Sequence, residues 1–344
     1  MNWSRVLNMV GCHAGGEIGH VITGGVVNVP GDTVFAKKMH LQDHLDHIRK
    51  LLLFEPRGGV VHSVNVILPA TDSRASYGYV IMESTEYPAM SGSNTICVAT
   101  VLLETGMVPM HEPMTDLVLE APAGLIKLRC ECENGKVKSV RFVNQPAFVH
   151  ALDRQVEVPG VGTVTVDVAY GGMTYALADA RALGFEMVPS EARDLCVLGQ
   201  QIKEAAAEQI PTSHPDNADI AGITQTLFAG PLSRDNGVLT SRNTVIVSPG
   251  RVDRSPCGTG TSARLAVLHA RGQIKPGENF VHESIIGTKF DSHIEATTQV
   301  GRFDAVIPSV AGQAWITSMS QIGLDPTDPF PEGYTLSDTW LKTL

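Results

Sequence analysis

The sequence predicts an α+β fold built from two similar domains. Two observations carry this expectation. A short nucleophile-bearing segment occurs twice, and the elements around it recur in the same order. Ser91-Gly92-Ser93-Asn94-Thr95 aligns without a gap with Cys257-Gly258-Thr259-Gly260-Thr261. Each copy runs into an apolar helical stretch, residues 96–104 and 262–270. Each stretch ends at a glycine, Gly106 or Gly272, at the same distance from its nucleophile.

Taken in order, the elements of the halves match. His13-Ala-Gly-Gly-Glu17 precedes a strand over residues 18–23, and Ala169-Tyr-Gly-Gly-Met173 precedes one over 174–178. A helix follows in each half. In the first, Leu41, Leu45, Ile48 and Leu52 form one apolar stripe at the 3.6-residue helical period. In the second, the helix covers residues 190–210. Strands over 64–68 and 77–82 correspond to strands over 224–229 and 243–248. After the nucleophile helix, Glu120-x-x-x-Gly124 matches Glu283-x-x-x-Gly287, each leading into alternating strands. The turn at Val158-Pro-Gly-Val-Gly-Thr163 suggests the boundary. The expected domains are 1–160, with the tail 326–344 as a candidate return to the first domain, and 161–325. The duplicated sites would then face each other across a cleft, a common setting for ligands.

At 344 residues, a chain accommodates two domains of roughly 150 residues, each with a core of its own. The 43% hydrophobic content, 18% charged content and mean hydropathy of +0.05 are ordinary for a globular protein. A net charge of -10 and a pI near 5.6 argue against nucleic acid and anionic membrane as partners. The six cysteines form no zinc-like paired motif. Cys130 and Cys132, two apart in a strand-like run, point to one face. The first residues lack the apolar core of a signal peptide, and no apolar run has bilayer length. The expectation is a reduced, cytoplasmic protein.

Cys257 is the leading catalytic candidate. A helix N-terminus combines unpaired amides with the positive end of the macrodipole, and that field favours a thiolate. A free thiol titrates near pH ~8.5, so a modest downward shift makes it a base at neutrality. Ser91 reads equally as an N-cap and as the partner of Cys257. The amides of Gly92, Ser93, Gly258 and Thr259 are placed to hold a carboxylate. Asp253, four residues before Cys257, is either a turn acid or the acceptor for an ammonium. Gly258-x-Gly260-x-x-Ala263 loosely fits a dinucleotide fingerprint, but such a motif opens an early βαβ unit and this one lies late. His40, His44 and His47 have a spacing compatible with a shared metal but flank the apolar stripe, so a solvated face is the simpler reading. Arg57, in Glu55-Pro-Arg57-Gly-Gly59, reads as available for a structural ion pair. Neither a metal nor a cofactor is expected.

Asp253-Arg-Ser-Pro-Cys-Gly-Thr-Gly-Thr-Ser-Ala263 resembles the second catalytic motif of the proline racemase family almost letter for letter. Met90-Ser-Gly-Ser-Asn-Thr95 resembles the first, which is usually Met-Cys-Gly-His. Glu55-Pro-Arg-Gly58, Tyr170-Gly-Gly172 and Glu283-Ser-Ile-Ile-Gly287 extend the likeness over nearly the whole chain. The resemblance implies a diaminopimelate-epimerase-like fold, in which each of two domains is a curved antiparallel sheet around a central helix. It implies cofactor-free chemistry at Cα of an imino acid. Ser91 and Cys257 would be the catalytic pair, with Gly92, Ser93, Asp253, Gly258 and Thr259 binding substrate.

The chain departs from the usual pattern by serine in the first motif, Ser93 where histidine is usual, and Gly59 after Pro-Arg-Gly. Relatives of the serine–cysteine type are associated with dehydration of trans-3-hydroxy-L-proline, with epimerisation of 4-hydroxyproline, or with both. Elimination needs one base, whereas inversion needs a proton carrier on both faces. The expectation therefore ranks dehydration to Δ1-pyrroline-2-carboxylate first and 4-hydroxyproline 2-epimerisation second. Proline racemisation and an imino-acid-binding paralogue without turnover are the alternatives. A homodimer is left open.

Overall fold

In the computed structural model, which describes residues 3–26 and 28–341, the chain divides into two units. One holds the described residues up to Phe142 and from Gly312 onward, and the other spans Val143–Ala311. The first unit begins with β1 (Arg5–Ala14), β2 (Glu17–Gly24), α1 (Val34–His44), α2 (Asp46–Leu53), β3 (His62–Leu68) and β4 (Tyr77–Met82). It continues through α3 (Gly92–Glu104), β5 (Met114–Ala121), β6 (Gly124–Glu133) and β7 (Lys136–Val143).

The second unit opens with β8 (Ala147–Val158), β9 (Gly162–Tyr170), β10 (Thr174–Asp179) and α4 (Ala192–Gln209). The short β11 (Ser213–His214) and β12 (Asn217–Ala221) form a separate hairpin, and β13 (Gln225–Ala229), β14 (Ser233–Asp235), β15 (Val238–Val247) and β16 (Arg251–Val252) follow. After α5 (Gly258–Ala270) come β17 (Asn279–Glu283), β18 (Lys289–Val300) and β19 (Phe303–Gly312). Finally β20 (Ala314–Leu324) returns to lie antiparallel on β1.

The duplication is carried by strand pairing. In the first unit, β20–β1 and β1–β2 are antiparallel, β2–β3 parallel, β3–β4 antiparallel, β4–β5 parallel, and β5–β6 and β6–β7 antiparallel. In the second, β8–β9 and β9–β10 are antiparallel, β10–β13 parallel, β13–β15 antiparallel, β15–β17 parallel, and β17–β18 and β18–β19 antiparallel. The two series are the same. A further pairing of β19 with β8, through Ala305↔Phe148 and Val306↔Ala147, closes the second sheet on itself.

This topology moves the expected boundary. The turn at residues 158–163 is the tip of the β8–β9 hairpin, where Val158 pairs with Gly162. It lies inside the second unit, so 1–160 and 161–325 do not divide the structure. The units part at 142/143 and at 311/312, because β8 must pair with β9 and β20 with β1. The tail also packs on the first unit, where Trp340 is fully buried and meets Phe54 edge-on with ring centroids 5.2 Å apart.

α3 and α5 are buried on nearly all sides, as a helix enclosed by its sheet must be. Every residue of α3 from Gly92 to Leu103 is buried, as are Gly258–Ala263 and Leu265–Leu268 of α5. Truncating a fully buried member such as Leu102 to alanine costs about 2–5 kcal/mol, because the enclosing sheet cannot collapse on the void. By contrast α4 is amphipathic and buries Leu195, Gly199, Ile202 and Ala206. The single helix expected around the first stripe is two helices. Leu45, with φ -129° and ψ 20°, caps α1 and starts α2, while Leu41, Ile48 and Leu52 keep the stripe buried.

The repeated Gly-Gly pairs have a physical reason. Gly15, Gly16 and Gly172 take positive φ, a region that side chains disfavour. At Gly171 a Cβ would lie 2.3 Å from the Thr259 carbonyl oxygen and 2.4 Å from the Ala263 amide. The β9–β10 turn therefore touches the first turns of α5, backbone on backbone.

Candidate active site

At the start of α3, Ser91 has an extended conformation (φ -146°, ψ 126°) and the position of an N-cap, yet its side chain makes no capping bond. Its Oγ instead accepts from Asn94 Nδ2 at 3.0 Å and lies 3.5 Å from Ser93 Oγ. The backbone still starts the helix, with Thr95 N–H donating to the Ser91 carbonyl at 3.0 Å. Thr95 Oγ1 contacts the buried Tyr79 hydroxyl at 2.6 Å. The hydroxyl that sequence alone leaves between cap and catalyst is thus not used as a cap. Gly92 and Ser93 are buried in the first turn, whose amides have no partner within the helix.

The start of α5 is built differently. Cys257 sits at φ 63° and ψ 112°, left-handed territory that is rare for a residue with a Cβ. Its amide donates to Ser255 Oγ at 3.0 Å, and its Sγ accepts from Gly260 N–H at 3.3 Å. The Tyr175 hydroxyl lies 3.5 Å from Sγ and 2.6 Å from Thr259 Oγ1. Asp253 is buried, and its Oδ1 accepts from the Ser255 amide at 2.8 Å and hydroxyl at 2.9 Å. Ser255 therefore ties the Asp253 carboxylate to the Cys257 backbone.

The expected downward shift of the Cys257 thiol is not found. Burial pushes the thiol well above its usual range, and the Asp253 carboxylate pushes it further in the same direction. Hydrogen bonds from Tyr175, Gly260 and Thr259 oppose this and do not prevail. A buried thiolate loses more hydration than the helix terminus returns. Tyr175 is itself raised by burial and then by Cys257.

Within the first unit, Ser91, Gly92 and Ser93 are thus brought together, and within the second, Asp253, Cys257, Gly258 and Thr259. Sequence reasoning gave no role to Tyr175, Ser255 or Asn94. The signal for Tyr175 lay in the aligned halves, where it stands three residues past Gly-Gly, as Gly19 does in the first. Elsewhere, Arg57 forms its ion pair with Asp328 at 2.5 Å, and Cys130 and Cys132 are both buried on one face. His40 and His44 have ring centroids 4.8 Å apart, and no group of three or more metal-ligating side chains occurs among the described residues. Among them, no helix is long and apolar enough to cross a membrane.

A repeated α+β topology with Ser91 and Cys257 at the starts of its two buried helices defines a protein of the epimerase-like fold class. A predicted epimerase from Pseudomonas aeruginosa shares this fold at a TM-score of 0.55 and 14% identity, over 92% of this chain and 98% of that one. The proline racemase family model matches residues 9–335, and the chain belongs to the proline racemase family. It is similar to a hydroxyproline epimerase from Agrobacterium vitis, crystallised with trans-4-hydroxy-L-proline. That likeness has 42% identity and a TM-score of 0.90 over 99% of this chain and 98% of that one. A probable proline racemase from Agrobacterium radiobacter K84, with bound carbonate, matches at 39% identity and TM-score 0.90 over 97% and 98% of the two chains.

Proposed function

We propose that the protein inverts Cα of a 4-hydroxyproline by passing a proton between Cys257 and Ser91. Inversion at Cα with C4 untouched interconverts trans-4-hydroxy-L-proline and cis-4-hydroxy-D-proline. The observation that carries this reading is the Ser91 hydroxyl. It stands at the same topological position as the Cys257 thiol and is not spent on capping. Two equipped proton carriers suit inversion better than elimination, which reverses the ranking expected from sequence. The 42%-identical hydroxyproline epimerase supports the same substrate class.

The substrate carboxylate takes the first-turn amides of Gly92, Ser93, Gly258 and Thr259, where fixed dipoles meet the charge that builds as the α-proton leaves. The ring ammonium is received by Asp253. A cation there offsets the part of the Cys257 thiol's rise that comes from Asp253, the second cause after burial, so bound substrate favours the thiolate. The ammonium also acidifies Cα. In this scheme the Cys257 sulfur removes the proton and the Ser91 hydroxyl supplies one, and the reverse reaction exchanges the roles. No cofactor takes part in this scheme.

Dehydration of trans-3-hydroxy-L-proline is a second reading, favoured by the single thiol. Proton NMR in deuterated water, with each substrate, separates the two. Deuterium at Cα with inversion of 4-hydroxyproline is expected, and it should vanish in Cys257→Ala. Loss of the 3-hydroxyl without inversion of 4-hydroxyproline would replace the first reading by the second.

A further inference from the structure

We propose that Asn94 is the positioning residue that sets Ser91 as a proton donor toward Cα and carries the charge left on its oxygen. This rests on the reading of Ser91 and Cys257 as the two proton carriers.

The orientation of Asn94 is determined by its neighbours. Asn65 Nδ2 lies 3.1 Å from the His20 carbonyl oxygen and 2.7 Å from Asn94 Oδ1. Its two hydrogens serve those two acceptors. Reversing Asn65 would set an oxygen against the carbonyl. The atom of Asn94 that faces Asn65 is therefore its oxygen, which also lies 2.9 Å from Ser63 Oγ. The Asn94 nitrogen must then face Ser91, and it donates to Oγ at 3.0 Å. With a donor on one side of Oγ, the serine's own hydrogen is directed away from Asn94. Asn94 is 1% exposed, so this geometry does not compete with water.

Comparison of the halves points the same way. Gly260 stands at the Asn94 position of α5, and the thiol there receives its lateral contact from Tyr175 on β10. The residue matching Tyr175 on β2 is Gly19, and a Cβ at Gly19 would lie 2.8 Å from Asn94 Oδ1. Ser91 and Cys257 thus each have a polar side chain from the aligned pair of positions beside them, Asn94 on the helix in one unit and Tyr175 on the strand in the other, in addition to Ser93 Oγ and the Gly260 amide. In the first unit the glycine on the opposite element, Gly19, makes the room.

The step balances simply. The Oγ–H bond breaks as the new Cα–H bond forms, and the electron pair stays on Oγ. The Asn94 N–H and the start of α3 stabilise that alkoxide until the reverse transfer or water returns a proton.

Asn94→Asp tests this with nearly unchanged shape. One carboxylate oxygen keeps the contacts to Asn65 and Ser63, but the other cannot donate and opposes an alkoxide. Losing one such donor should lower kcat for inversion by about a hundredfold, with KM changed little. Deuterium exchange at Cα without inversion, driven by Cys257, should persist. Adding Ser91→Cys to Asn94→Ala, where no carboxylate opposes a thiolate, should restore part of the inversion, because a thiol is a far stronger acid than a serine hydroxyl and depends less on such a donor. Asn94→Ala should behave alike if the aspartate variant does not fold. Inversion at the parent rate in either folded variant, or no rescue by the added cysteine, overturns the proposal. Full inversion by Ser91→Ala would instead overturn the two-carrier reading.

Discussion

The Tyr175 hydroxyl lies 3.5 Å from Cys257 Sγ and 2.6 Å from Thr259 Oγ1, in a fully buried position. The phenol links the thiol to the second residue of α5. Its hydrogen bond is one of the few influences that favour the thiolate against burial. Tyr175→Phe should therefore push the thiol higher still. Inversion should slow by about tenfold, the scale of losing one hydrogen bond of about 1.4 kcal/mol to a charged form. Alkylation of Cys257 by iodoacetamide, followed by peptide mass analysis against pH, should show its midpoint moving up.

Asp253 acts with the opposite sign. Its carboxylate raises the thiol, second only to burial. Asp253→Asn should move the alkylation midpoint down and speed alkylation at a given pH. If Asp253 receives the ring ammonium as proposed, turnover should nevertheless fall by about a hundredfold or more. A faster thiol in a slower enzyme separates substrate binding from thiol activation. A variant with unchanged KM and kcat would leave Asp253 as a turn residue.

Much of the fold was legible because duplication is written as pattern. The ordered recurrence of Gly-Gly, strand and nucleophile segment needs no tertiary information, and Ser91 and Cys257 do stand at equivalent helix starts. The boundary was not legible. Whether the turn at Val158–Gly162 separates two units or closes one hairpin depends on which strand β8 pairs with, a contact distant in sequence. The return of β20 to β1 is invisible for the same reason. The thiol's upward shift was missed because a helix terminus can be read locally. Burial by residues from several strands cannot. Asn94 lay inside a recognised motif, but its role depends on Asn65 and Ser63, which come from another element.

The asymmetry of the pair can be tested at Ser91. On the proposed two-carrier scheme Ser91→Ala leaves one face without a proton carrier, so inversion should fall by about a thousandfold, within the range for acid–base residues. Exchange of the proton facing Cys257 should survive. Ser91→Cys restores paired thiols and should shift the ratio of epimerisation to dehydration upward, measured on trans-4-hydroxy-L-proline and trans-3-hydroxy-L-proline. If Ser91→Ala inverts as fast as the parent, the hydroxyl is not a carrier.

Stability should depend on pH through two half-buried histidines. Burial, reinforced by His62, lowers His20 to about 4, and its Nδ1 accepts from the Cys12 amide at 3.3 Å. His150 is likewise lowered to about 4, by burial and then by His214 and Arg302. An unfolded histidine titrates near ~6.5, so the unfolded state takes up the proton first. The contribution is fully present above that pH and is lost as pH falls from ~6.5 toward 4. The melting temperature followed by circular dichroism should decline across this window. His20→Asn keeps an acceptor for Cys12 without titrating, and should flatten the decline. An unchanged slope would assign the acid sensitivity elsewhere.

The contact between the β9–β10 turn and α5 yields the sharpest structural prediction. At Gly171 an added Cβ would meet the Thr259 carbonyl oxygen at 2.3 Å and the Ala263 amide at 2.4 Å. Both are backbone atoms of a buried helix, so no side chain can swing aside. Asn144 reinforces the junction by donating to the Gly171 carbonyl at 2.8 Å and to Ser262 Oγ at 3.0 Å. Gly171→Ala should cost about 3 kcal/mol, the upper end for overpacking, and lower the melting temperature by at least about 6 °C. Activity should fall further than stability alone explains, because Thr259 and Cys257 move with the helix start. Gly59→Ala is the control. A Cβ there meets nothing within 4 Å and Gly59 has no positive φ, so stability should stay within about 0.5 kcal/mol of the parent. Equal melting temperatures for the two variants would mean that the turn does not press on the start of α5.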